Sequence, residues 1–91
     1  MILNIINEAE KIYVKFANQT LEVSENSPTW NMVEINKFLI DLATKTPDGQ
    51  LIEIKFDDEL VKENQIYNHI VLLFSEFVKK YNSEIANQSN N

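Results

Sequence analysis

The sequence predicts an α+β fold: a small single-layer sheet, antiparallel or mixed, of three to four strands packed against two helices in the order β-β-(β)-α-β-α. Three observations carry this. KIYVKF (11–16), TLEVS (20–24) and LIEIKFD (51–57) alternate apolar and polar residues with period two, the pattern of strands that bury one face. From Ile66 to Ile85 the apolar residues recur at helical spacing, which predicts an amphipathic helix of about five or six turns. Ser27 and Pro28 open a further helical stretch that Pro47 closes, since serine caps a helix start and proline in the first helical position forfeits no hydrogen bond.

Residues 1–10 fit two templates. Ile2, Ile5, Ile6 and Ala9 stand at helical spacing, and Ile2 to Ile6 also fit a strand that turns at Asn7 and Glu8; we read a strand. In KIYVKF, Ile12, Val14 and Phe16 oppose Tyr13 and Lys15. In TLEVS, Leu21 and Val23 oppose Glu22, and Ala17-Asn18-Gln19 between the two runs reads as a hairpin turn. The helix opened at Pro28 is expected to reach about Lys45. It carries Ile35, Leu39, Leu42 and Ala43 as a core stripe and Trp30, Val33 and Ile40 nearly opposite. Either the helix proper starts near Glu34, with Trp30 and Val33 in an extended lead-in under the sheet, or these residues form an exposed patch.

Asp48 and Gly49 then supply a turn. In the strand after it, Ile52, Ile54 and Phe56 share one face against Leu51, Glu53 and Lys55. The long helix is expected to begin between Asp58 and Asn64. Ile66, Tyr67, Ile70, Leu73, Phe74, Phe77, Tyr81 and Ile85 form its apolar arc, Val71 and Val78 its edge, and Asn68, Ser75, Glu76 and Lys79 its polar back. Residues 1–86 read as one domain, and 87–91, an asparagine and serine tail, as disordered.

Composition bounds the function. At 91 residues with 44% hydrophobic and 24% charged side chains the chain suits one globular domain. It has no cysteine, so thiolate metal sites and cysteine nucleophiles are excluded. Net charge is −6 and every basic side chain is lysine. Nucleic-acid affinity rests on cations that displace counterions from phosphates, and anionic membranes select basic surfaces. We therefore expect no direct nucleic-acid partner and no membrane partner. The apolar start MILNII lacks a preceding basic region and a following cleavage site, so it reads as structure rather than a signal, and the expected location is cytoplasmic. The run IVLLF at 70–74 is far short of the roughly 20 apolar residues that span a bilayer.

No catalytic motif emerges. The single histidine, His69, falls at the polar flank of the long helix and reads as a boundary residue. Asp57, Asp58, Glu59 and Glu63 form the densest acidic group; at a strand-to-helix junction they read as first-turn charges that match the helix dipole. None of the serines stands in a nucleophile-elbow motif, and one glycine cannot build a phosphate-cradling loop. We expect no enzyme activity and no cofactor or metal.

Trp30, Val33 and Ile40, joined by Leu72 on the back of the long helix, form the expected contact surface, with Asp57, Asp58 and Glu59 in an acidic rim that favours a basic partner. Small acidic inhibitors from phages and mobile elements, which cap nucleic-acid-handling proteins, have this size and charge. The alternative is that the apolar patch joins two copies of the chain in a homodimeric structural or accessory subunit.

Overall fold

Alternation decides the first half of the molecule. The computed structural model describes residues 1–9, 11–24, 32–47 and 49–89. In it β1 (Ile2–Glu8), β2 (Lys11–Phe16) and β3 (Gln19–Ser24) form an antiparallel meander. Leu3, Ile5, Ile12, Val14, Phe16, Leu21 and Val23 all point to one face and are buried, while Lys11, Lys15 and Glu22 stay exposed on the other. The residue after each of the first two strands, Ala9 and Ala17, has positive φ, 55° and 54°, as the commonest two-residue hairpin loops require at their first position. Residues 2–8 thus follow the strand reading, but β1 runs through Asn7 to Glu8 and its inward residues are Leu3 and Ile5.

The fourth strand crosses over. After β3 the chain passes through α1 (Met32–Lys45) to the opposite edge of the sheet, where β4 (Glu53–Lys55) lies parallel to β1 in the order β3-β2-β1-β4. The sheet is mixed. β4 has only three residues, so Phe56 lies beyond its end and is 39% exposed rather than turned inward with Ile52 and Ile54. Side chains replace the missing strand partners on this edge. The Asn82 amide donates to Ile52 O and accepts from Ile52 N–H, both at 2.9 Å. The Tyr67 hydroxyl accepts from Asp57 N–H (2.9 Å) and donates to Ile5 O (2.6 Å). Since Ile52 is buried, Asn82→Ala leaves both its backbone groups without that partner and is expected to cost about 2 kcal/mol, measured as a lower denaturation midpoint at unchanged slope.

The expected single long helix is two helices, which makes the order β-β-β-α-β-α-α. α2 (Asp58–Glu63) is capped by Asp57, whose carboxylate accepts from Glu59 and Leu60 N–H, and α3 (Gln65–Ser89) follows after one residue. Asn64 makes the break. It is extended, at φ −121° and ψ 110°; its N–H closes α2 on Leu60 O, and its side-chain oxygen accepts from Tyr67 N–H to open α3. α3 continues to Ser89, so helix occupies 87–89, where a disordered tail was expected; residues 90–91 lie outside the described set.

One face of the sheet carries the helices. α3 buries Tyr67, Ile70, Val71, Phe74 and Val78, and α1 buries Ile35, Phe38 and Leu42. The Phe38 and Phe74 rings meet edge to face at 5.9 Å and 80°. Gln19 Nε2 donates to Asp41 Oδ2 (3.2 Å), tying α1 to the start of β3. The α3 stripe is rotated from expectation: Val71 and Val78 are central, while Ile66, Leu73 and Phe77 are only half-buried on a shoulder. Leu39 and Ala43 of α1 are likewise half-buried, and Phe38 takes the core position.

Candidate protein-docking surface

The rotation of these two stripes creates the surface. Because α3 and α1 both turn their buried centres toward the sheet, their facing shoulders are left partly open. They enclose a furrow with two hollows. One, of about 330 Å³, is lined by Met32 against Gln65, Ile66, His69 and Leu73. The other, of about 520 Å³, is lined by Asn36, Leu39, Ile40, Ala43 and Thr44 against Phe77. Numbers rise together along both helices, so α1 and α3 run side by side in one direction. Among the described residues no lysine, aspartate or glutamate lines either hollow, and His69 is the one titratable group in the described lining.

Val33 and Ile40 are 64% and 65% exposed and seven residues apart, hence on one helical stripe. Val33 lies inside α1, so it is not part of an extended lead-in. Leu72, 54% exposed, stands on the outer crest of α3, one residue from the furrow's Leu73. Trp30, together with Ser27, Pro28, Glu10, Glu25 and Asp48, lies outside the described residues. Met32, Leu73 and Phe77 belong to this surface although sequence reasoning did not assign them to it. The available signal was the apolar residues Leu73 and Phe77 on the α1-facing flank of a stripe that is too wide for one contact.

Asp57, Asp58 and Glu59 stand elsewhere. With Glu8 and Lys55 they line an open cleft of about 740 Å³ at the ends of β1 and β4, which shares no residue with the furrow. Of the apolar residues that the sequence combined with them in one rimmed patch, Ile40 lines a different hollow, and Val33 and Leu72 are exposed on the helices outside the acidic cleft. Asp57 has a local role as the α2 cap, and Asp58 and Glu59 are exposed in its first turn. His69 is exposed at the furrow's edge. Among the described residues no group of three or more acidic or histidine side chains converges as a metal site, and no helix is long and apolar enough to cross a membrane.

Among the described residues two titrating groups are shifted. Burial pushes the Tyr67 phenol above its ordinary value, against the lowering effect of the Asp57 N–H bond. The hydrogen bond from Lys11 to Glu22, 2.6 Å between half-exposed side chains, raises the Lys11 ammonium. Tyr67 bonds to the backbone of β1 and of the segment after β4, and Lys11 pairs across β2 and β3. Compared with protein-family models, curated proteins and solved structures, the chain matches none of them.

Proposed function

We propose that the chain is a small acidic protein-binding module without enzyme activity that acts in the cytoplasm. It occupies a basic surface of a nucleic-acid-handling partner, as inhibitors from phages and mobile elements do. The observation that carries the protein-binding reading is the Val33 and Ile40 stripe, two branched aliphatic side chains about two-thirds exposed, with Ile40 at a hollow whose described lining holds no lysine, aspartate or glutamate. Exposed aliphatic groups that border a concave apolar surface are the usual material of a contact centre. The partner's sign follows from charge: a chain at −6 attracts cationic surfaces and speeds their encounter, and Asp58 and Glu59 stand exposed at the acidic end.

Affinity capture from the native host, followed by binding measurements with the purified pair, tests this reading. The expected result is a basic, nucleic-acid-handling protein whose affinity for the chain falls at least about 10-fold in Asp58→Lys/Glu59→Lys and weakens with added salt. Asp57 is kept so that the α2 cap survives. A captured partner that is acidic, or indifferent to both the substitutions and salt, would refute the basic-partner reading.

A further inference from the structure

We infer that the open edge of β4 pairs with the β4 edge of a second copy of this chain, antiparallel about a two-fold axis at Ile54, in a weak symmetric dimer. This contact uses neither the Val33 and Ile40 stripe nor Asp58 and Glu59, so it goes beyond the basic-partner reading and does not rest on it. Backbone direction is the first argument. Glu53 N–H donates to Met1 O at 2.8 Å, and β4 runs parallel to β1 with Glu53 opposite Ile2 and Lys55 opposite Asn4. In a parallel ladder a residue's N–H and C=O point to the same side, and the side alternates along the strand. Glu53 and Lys55 therefore direct their backbone groups to β1, while Ile52 and Ile54 direct theirs to the open edge. At Ile52 the Asn82 amide meets both groups. At Ile54 no described residue does. Two copies related by a two-fold axis at this position exchange one donor and one acceptor each.

The order of side chains selects the second copy. A three-residue edge that carries a lysine resists indiscriminate pairing, so an added strand has to match its charges. β4 reads Glu53-Ile54-Lys55, and turning it end for end about Ile54 sets each glutamate opposite the other copy's lysine. Both side chains are exposed, and neither forms an ion pair among the described residues. Opposite charges directly across an antiparallel pair are stabilising and like charges are destabilising. A uniformly basic strand would meet Lys55 with like charge, and a uniformly acidic one would meet Glu53 in the same way. The next positions match as well. Phe56, 39% exposed, comes opposite the partner copy's buried Ile52, beside a mostly apolar hollow of about 530 Å³ that Ile52, Ile54 and Val78 help to line. Because Asn82 holds the outward groups of Ile52, the new ladder ends after one exchanged pair, which keeps the dimer weak.

Sedimentation equilibrium of the full chain from roughly 10 to 1,000 µM tests this. The wild type is expected to show a monomer–dimer equilibrium in that range. Glu53→Lys alone and Lys55→Glu alone each place like charges opposite one another twice across the axis, and each should raise the dissociation constant at least about 10-fold. An equimolar mixture of these two variants, and the double variant Glu53→Lys/Lys55→Glu, restore opposite charges at both pairs and should recover a dimer of wild-type strength. Both positions are exposed, so circular dichroism should show native folding in each variant. A wild type that stays monomeric throughout overturns the dimer but not the basic-partner reading, which Asp58→Lys/Glu59→Lys tests by itself. Net charge is the competing cause, since Glu53→Lys makes the chain less acidic and Lys55→Glu more so. A dimer that the first strengthens and the second weakens, that neither changes, or that the mixture and the double variant fail to recover refutes pairing about Ile54.

Discussion

Phe74→Ala is expected to lower stability by about 3 to 5 kcal/mol, against a total of about 5 to 14 kcal/mol for a chain of this length. Phe74 is 1% exposed and meets Phe38 edge to face, so truncation removes transfer energy, leaves a cavity and strands the partner ring. The two aromatic side chains are the joint between α1 and α3. A double-mutant cycle with Phe38→Ala should therefore return a coupling of about 0.5 to 1.5 kcal/mol. Denaturant titration measures both. A loss below about 2 kcal/mol for Phe74→Ala would mean that the helices collapse into the space and that the furrow between them is not held open by this contact.

Tyr67→Phe is the second large effect, although it removes one oxygen. The ring is fully buried and stays, but Ile5 O loses its donor and Asp57 N–H its acceptor. Ile5 is itself buried, so the expected cost is about 2 to 3 kcal/mol. The substitution also carries a pH signature. Burial raises the Tyr67 phenol above tyrosine's ordinary value of about 10, so the unfolded chain gives up this proton at lower pH than the folded one. The contribution is fully present below about pH 10 and is lost as pH rises through the folded value. Lys11, also raised, is lost in the same direction. The informative quantity is thus the difference between wild type and Tyr67→Phe. It should be constant at neutral pH and shrink above about pH 10. A difference that does not change between pH 8 and pH 11 would show that the buried hydroxyl is not the group responsible.

The sheet was largely legible. KIYVKF and TLEVS alternate without exception, and β2 and β3 turn their apolar sets inward as read. In ILNII both faces of the strand are apolar, so periodicity could not say that Leu3 and Ile5, rather than Ile2 and Ile6, face the helices. The break at Asn64 had a signal: an asparagine three residues before Tyr67 is an N-cap pattern. It was overridden by apolar spacing that runs on through both helices, from Leu60 and Val61 to Ile85. Asn82 was invisible for another reason. Its partner, Ile52, is thirty residues away, and nothing local marks an amide that will stand in for a strand.

The candidate surface divides the same way. That α1 has two apolar sides is a property of the sequence, and the exposure of Val33 and Ile40 agrees with it. What lies beside them is not. Met32 and Ile40 border a furrow only because α3 packs with its Val71 and Val78 side toward the sheet and leaves Leu73 and Phe77 on the shoulder.

By itself the sequence determined the fold class, the direction in which each amphipathic element must face, and the charge that any partner would meet. These follow from composition and from periodicity along a single element. Only the tertiary structure decided that β4 pairs parallel to β1, that the buried stripes of α1 and α3 turn away from their expected centres, and that Ile40 and the acidic group line separate clefts. Those outcomes depend on how one element's surface fits another's, and packing contacts between residues far apart in the chain have no local signature.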